Sequence, residues 1–205
     1  EVMRVVITGA SSGLGAALAR HYARQGATLA LFARREGELR RLAGELPGLT
    51  FTYPLDVTDA AALNQAGADF IARAGVPDLV IANAGISVGT LTQEASDLPV
   101  FQRVMAVNVL GMVNTFHAFV EPMCAAGAGT LAGIASVAGI RGLPGSGAYC
   151  ASKAANIAYL ESLRGELRGT GVKVVTVVPG YIETPMTAIN RYSMPFILPV
   201  DTAAQ

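Results

Sequence analysis

Tyr149 and Lys153, in the stretch Tyr149-Cys150-Ala151-Ser152-Lys153, are the pair in this chain best suited to chemistry. On a helix, residues i and i+4 project from one face. A phenol ionises near pH 10, so it exchanges protons poorly at neutrality unless something stabilises its anion. A neighbouring ammonium does that, lowering the tyrosine pKa toward working pH, and its N–H groups can also bond a ligand. Lysine is scarce here: Lys173 is the only other one, so Lys153 is not drawn from a general excess. Ser136 ends an apolar run, Gly133-Ile134-Ala135-Ser136, that reads as a buried strand. A hydrolase nucleophile is a poor reading of it, because Ile134-Ala135-Ser136-Val137-Ala138 is not G-x-S-x-G and no histidine is near by motif.

The elements that must position these groups follow from the hydrophobic pattern. Met3 to Thr8 is a β-branched run leading into Gly9-Ala10-Ser11-Ser12-Gly13-Leu14-Gly15, and a helical pattern then runs through Gln25. Strand, glycine turn and helix make a site where the backbone can approach a pyrophosphate, with the free N–H groups and dipole of the helix start favouring its charge. The spacing differs from G-x-G-x-x-G and lacks the Gly-Lys-Ser/Thr ending of a P-loop. A second buried strand, Thr28 to Ala33, ends in Arg34-Arg35, where a dinucleotide fold places the group that reads the adenosine ribose. An acid there would accept from a free 2′-hydroxyl; arginine suits a 2′-phosphate, so NADP is expected over NAD.

A helix is expected from Glu36 to Leu46 and a third strand from Leu49 to Pro54, followed by Asp56-Val57 and helix-start signals at Thr58-Asp59. Asp56 is either an adenine contact or a simple turn acid. Leu79 to Ala82 is a fourth strand, and Asn83-Ala84-Gly85 turns out of it, small enough to leave room for a ligand. A long helical pattern from Pro99 to about Cys124 contains Asn108, which needs partners if it lies on an apolar face. Strand five is Gly129 to Ala135, a glycine-rich loop spans Gly139 to Gly147, a helix runs from Tyr149 to Gly169, and strand six is Val172 to Val178 before Pro179-Gly180. This alternation predicts an α/β fold: a doubly wound parallel sheet, Rossmann-like, in three layers.

Composition narrows the function classes. The chain has 205 residues, 52% hydrophobic and 15% charged, which suits one domain with a sizeable core and excludes a disordered segment. Lys+Arg and Asp+Glu both number 15, so no net field favours nucleic acid. No uninterrupted apolar run approaches the roughly 20 residues that span a bilayer, and no signal-like segment opens the chain, so a soluble cytoplasmic protein without a membrane partner is expected. Cys124 and Cys150 lack metal-site spacing, and His21 and His117 lie far apart, so no metal site is expected. Met3 is a plausible initiator, with Glu1 and Val2 preceding it.

Thr8-Gly9-x-x-x-Gly13-x-Gly15, Asp56, Asn83-Ala84-Gly85, Asn108, Ser136, Tyr149-x-x-x-Lys153 and Pro179-Gly180 followed by Thr184, in this order, resemble the short-chain dehydrogenase/reductase family over essentially the whole chain. The resemblance implies a seven-stranded Rossmann-like sheet and a nicotinamide dinucleotide cofactor. It also implies a catalytic tetrad of Asn108, Ser136, Tyr149 and Lys153. Tyr149 would be general acid in reduction and base in oxidation, and Ser136 would hold the substrate oxygen. Lys153 would bind the nicotinamide ribose and lower the Tyr149 pKa, and Asn108 would hold a water linking Lys153 to solvent. Cofactor contacts would come from Gly9, Ser11, Ser12, Gly13, Leu14, Gly15, Arg34, Arg35, Asp56, Val57, Asn83, Ala84, Gly85, Pro179, Gly180, Ile182 and Thr184, besides Tyr149 and Lys153. Self-association would pair the two long helices across a two-fold axis, giving a dimer or a tetramer.

One departure is visible: the chain ends 25 residues after Gly180, where relatives continue through a lid, a helix and a closing strand. Residues 1–205 are expected to form one domain carrying the catalytic residues, with 181–205 a partial substrate lid; either the full protein continues through a final helix and strand, or the sheet ends at strand six with an exposed edge. Pocket walls are expected from Ile86 to Leu91, Val137 to Gly145 and Tyr181 to Pro199. These are largely apolar, which points to a carbonyl or secondary alcohol of an apolar or modestly polar small molecule. The competing reading is a non-catalytic NADP-binding or scaffold protein of the same fold.

Overall fold

A computed structural model of the chain describes residues 1–180, 182, 183 and 198–205. Six strands form one parallel sheet: β1 (Arg4–Thr8), β2 (Thr28–Ala33), β3 (Thr50–Pro54), β4 (Leu79–Ala82), β5 (Gly129–Ile134) and β6 (Val172–Val177). Their spatial order is β3-β2-β1-β4-β5-β6, so the winding reverses between β1 and β4. The central strands are buried on both faces, which is why RVVIT, TLALFA and LVIA are near-continuous apolar runs. The seventh strand expected from the resemblance is not part of this sheet among the described residues. Instead β7 (Ile182–Glu183) and β8 (Leu198–Pro199) form a separate parallel pair. Of the expected lid, most lies outside the described residues.

Period-2 alternation splits the core into two layers. Val5, Ile7, Leu29, Leu31, Leu79 and Ile81 face α1 (Gly13–Arg24) and α2 (Glu36–Glu45), where the alanines of α1 permit close approach. Val6, Ala30, Phe32, Val80 and Leu131 face α3 (Ala60–Ala74), α5 (Gly111–Ala126) and α6 (Gly147–Glu166), anchored by Phe70, Phe116, Phe119 and Leu160. A short helix α7 (Val200–Ala203) packs its following Ala204 into the first layer.

The long helix expected from Pro99 to Cys124 is interrupted. It begins as α4 (Leu98–Met105), passes through a π-helical turn at Ala106–Leu110 and resumes as α5. A π turn inserts one extra residue, and such turns are frequent at functional sites. The run Ala95–Ala126 is long and apolar enough by composition to cross a bilayer. Here its Val104, Phe116, Phe119 and Met123 are buried inside the protein.

Candidate active site

A cleft of about 350 Å³ opens at the carboxyl ends of the strands, at the β1/β4 switch point where doubly wound sheets bind ligands. Gly9, Ser11, Ser12, Gly13 and Leu14 line one end of it. Gly9 and Gly13 have φ of +63° and +55°, a left-handed backbone that glycine adopts without strain. Gly15 does not line the cleft; it lies beneath, where a Cβ would collide with the Gly9 carbonyl and stand 2.6 Å from Asn83 Nδ2. That absence of a side chain lets α1 start directly against the turn. Ser12 makes no side-chain cap, so the first N–H groups of α1 remain available to an anion.

Thr8 and Asn83 hold the two sides of the switch point together. The Thr8 hydroxyl accepts from the N–H groups of Asn83 and Ala84 at 3.0 and 3.1 Å, and Asn83 Nδ2 donates to the Gly9 carbonyl at 3.2 Å. Asn83, Ala84 and Gly85 all line the cleft, as do Arg34 and Arg35 at the end of β2, both exposed. The cleft's residues fit a dinucleotide's phosphates: an open glycine turn, unpartnered helix N–H groups and two cations at the end of β2.

Asp56 and Val57 also line the cleft, clamped by partners that sequence reasoning missed. Asp56 accepts from Arg103 of α4 at 2.7 Å and from the Thr58 N–H and hydroxyl at 3.0 and 2.8 Å. Burial alone would raise its pKa, but these bonds outweigh it and hold the carboxyl at about 2. The Val57 carbonyl accepts from Asn114 at 2.9 Å, and Gly111 is bare where a Cβ would come within 2.6 Å of the Val57 side chain. No local signal marks Arg103 or Asn114, since each lies in a helix remote in sequence from the turn that it holds.

Further along the cleft stand Ser136, Tyr149 and Lys153, with Pro179 and Gly180 also lining it and the Pro179 carbonyl accepting from the Val137 N–H at 3.2 Å. Ser136 takes its place because β5 ends there, and its hydroxyl accepts from the Ala138 N–H at 3.1 Å. Tyr149 and Lys153 share one face of α6, with the Lys153 ammonium 5.6 Å from the centre of the phenol ring. Lys153 is only 5% exposed and donates to the Ile134 carbonyl at 3.2 Å. Burial lowers its pKa to about 8. The Tyr149 phenol departs from the sequence expectation: burial pushes it above its ordinary value, against a hydrogen bond with Ser136 that pulls it down, and Cys150 adds a further push upward. An ammonium several ångströms from the ring does not offset a phenol that is mostly withdrawn from water.

Asn108 does not line the cleft. It is 1% exposed, and the π turn directs its amide at Ile86, whose N–H and carbonyl it bonds at 2.8 and 2.9 Å. Its Nδ2 also donates to Ser152 Oγ at 3.0 Å, and that hydroxyl in turn donates to the Tyr149 carbonyl at 2.7 Å. Ser152, fully buried, therefore ties Asn108 to the backbone of Tyr149, a link invisible in sequence because a serine beside Lys153 looks like any helix-surface residue. Ile182 has a described backbone in β7, and Thr184 lies outside the described residues. Among the described residues no cluster of potential metal ligands occurs.

The family described as short chain dehydrogenase matches residues 3–193. An uncharacterized oxidoreductase of Myxococcus xanthus (strain DK1622) is 40% identical over 206 residues, covering 98% of this chain and 80% of that protein. An alcohol dehydrogenase from the archaeon Thermococcus sibiricus, solved with 5-hydroxy-NADP, superposes with a TM-score of 0.86 at 31% identity, over 100% of this chain and 88% of that one. The closed form of a serine dehydrogenase complexed with NADP+ gives a TM-score of 0.91 at 26% identity, over 98% and 86%. Sequence match over nearly the full chain and the close superposition agree, and the chain belongs to the short-chain dehydrogenase family of oxidoreductases.

Proposed function

We propose that this protein is an NADP(H)-dependent oxidoreductase that acts on the carbonyl or secondary alcohol of an apolar or modestly polar small molecule, with Tyr149 as general acid in reduction and base in oxidation. The observation that carries this reading is one cleft holding the glycine turn, Arg34 and Arg35 together with Ser136, Tyr149 and Lys153. The structures solved with NADP+ and 5-hydroxy-NADP support the cofactor class. We read residues 1–205 as one domain containing both cofactor and substrate sites.

A bound nicotinamide would supply or accept the hydride. The protein's own part is to manage the oxygen of the substrate. Reduction leaves negative charge on that oxygen, so a donor aimed at it lowers the barrier. Ser136 offers a hydroxyl fixed at the end of β5, and Tyr149 offers a second together with the proton. Because burial raises the phenol, Tyr149 is protonated at neutral pH, which is the form that a reduction consumes. Lys153, mostly charged below about 8, favours the phenolate left behind. Asn108 and Ser152 act at one remove, fixing Ile86 and the backbone of Tyr149.

Exposed Val88, Leu91, Val137, Ile140 and Leu143 on the segments flanking the site supply apolar surface and no cluster of cations, which supports an apolar substrate over an acidic one. The test is NADPH oxidation against a panel of ketones, aldehydes and diketones. Tyr149→Phe keeps the ring and should retain NADPH binding while turnover falls roughly 10²–10⁴-fold, the range for a lost general acid. Wild-type turnover in Tyr149→Phe removes the mechanism. Tight NADPH binding with no wild-type turnover on the whole panel shifts the reading to a non-catalytic binder.

A further inference from the structure

Helix α6, which carries Tyr149 in its first turn, does not cap itself. Its N-cap residue Ser146 makes no side-chain bond to the first turn, although the first N–H groups of a helix have no partner within it. Gly145, with φ of +77°, and Gly147 flank that serine, so the approach to the helix has little stiffness of its own. The hydroxyl that reaches the turn comes from Thr90, 58 residues upstream in the segment after β4, and accepts from the Ala148 N–H at 3.4 Å.

Further contacts make this a built junction. Thr90 is 9% exposed, its N–H donates to the Gly145 carbonyl at 3.0 Å, and it pairs with Ser146 as an isolated parallel bridge. The next residue is anchored as well, the Leu91 N–H donating to the Asp97 carboxylate at 2.8 Å. At its other end the same segment is held at Ile86 by Asn108. Tyr149 directly follows Ala148, the residue whose N–H Thr90 accepts.

We infer that Thr90 is a positioning residue for Tyr149: by capping α6 from the loop after β4, its hydroxyl fixes the turn on which the phenol stands and joins that turn to the wall at 86–91. This rests on the reading of Tyr149 as proton donor. A donor displaced by about 1 Å can lose on the order of 10²-fold in rate, so loosening a helix start costs turnover without touching the distant cofactor end. Thr90→Val keeps the β-branched shape and its packing but removes the acceptor, whereas Thr90→Ser keeps the acceptor.

The experiment measures kcat, KM for the carbonyl, NADPH affinity and amide hydrogen exchange in wild type and both variants. Thr90→Val should lower kcat about tenfold, a fraction of the loss expected from full misplacement, leave NADPH affinity within about twofold, and speed exchange at Ala148 and Tyr149. Thr90→Ser should restore kcat to within about twofold of wild type, since its hydroxyl still accepts. Wild-type kcat in Thr90→Val overturns the inference, and so does a joint loss of kcat and NADPH binding that serine fails to rescue. Exchange in the wild-type protein decides even if Thr90→Val does not fold or no substrate is found: an Ala148 amide as unprotected as a free one overturns the cap. Absence of wild-type turnover sinks the functional reading, while turnover indifferent to Thr90→Val sinks only this inference.

Discussion

Arg35 is already engaged, pairing with Glu38 at 3.1 Å, whereas Arg34 has no carboxylate partner among the described residues. Arg34 is thus the freer cation for a 2′-phosphate, and a charge-assisted bond of that kind is worth roughly 1.5–3 kcal/mol. NADPH should bind at least about tenfold tighter than NADH, from the same magnitudes, and Arg34→Ala should close most of that gap; fluorescence titration of both cofactors checks it, and equal affinities in wild type refute it. Lys153 makes a second residue-scale prediction. Its pKa is about 8 when folded against an ordinary 10.5, so below pH 8 both states are charged and folding carries the full cost of burying the ammonium. Between pH 8 and 10.5 the folded protein sheds the proton that the unfolded chain keeps, so this group's contribution to stability rises with pH. Lys153→Met, which has no charge to bury, should be more stable than wild type at pH 7, with the difference shrinking from pH 8 upward. Urea unfolding of both proteins across that range decides the matter, and a pH-independent difference would refute it.

At the scale of elements, α6 carries more polar groups inward than a helix on a sheet usually does. Ser152 and Lys153 are bonded, but Asn156, 1% exposed, has no partner for either atom of its amide among the described residues. An unsatisfied buried amide costs about 1–3 kcal/mol. Asn156→Leu, of nearly the same shape, should therefore raise the melting temperature by a few degrees, since about 1 kcal/mol moves Tm by about 2–4 °C in a chain of this size. A lower Tm in the thermal melt would mean that the amide is bonded in solution, as by a buried water. The π turn between α4 and α5 follows the same logic, because it aims Asn108 at Ile86 and so converts a polar residue on an apolar face into a brace for the cleft wall.

For the whole molecule, the uncovered apolar surface of the helical layer bears on assembly. Leu98 is 60% and Leu110 58% exposed around the π turn, with Phe101 beside them. Exposed large apolar side chains on this long helical run are the kind of surface that a two-fold partner covers. Sedimentation at micromolar concentration should show a dimer or larger species, and a monomer of 21.1 kDa would refute this.

The sequence alone determined the strand and helix order, because strands buried on both faces must be near-continuous apolar runs and the helices between them must be amphipathic. It also marked the glycine turn, Arg34 and Arg35, Ser136 and the Tyr149–Lys153 pair, since short spacings on a helix or turn are legible without tertiary knowledge. Four things depended on long-range packing. The π turn at Ala106–Leu110 has no local signature distinct from an ordinary helix. The partners Arg103, Asn114 and Ser152 reach across 47, 57 and 44 residues to Asp56, Val57 and Asn108. The Thr90 junction spans 58. The pKa balance of Tyr149 turned on how deeply α6 is buried, which spacing cannot report: four residues along a helix fix which face two side chains share, while desolvation depends on everything that packs over that face.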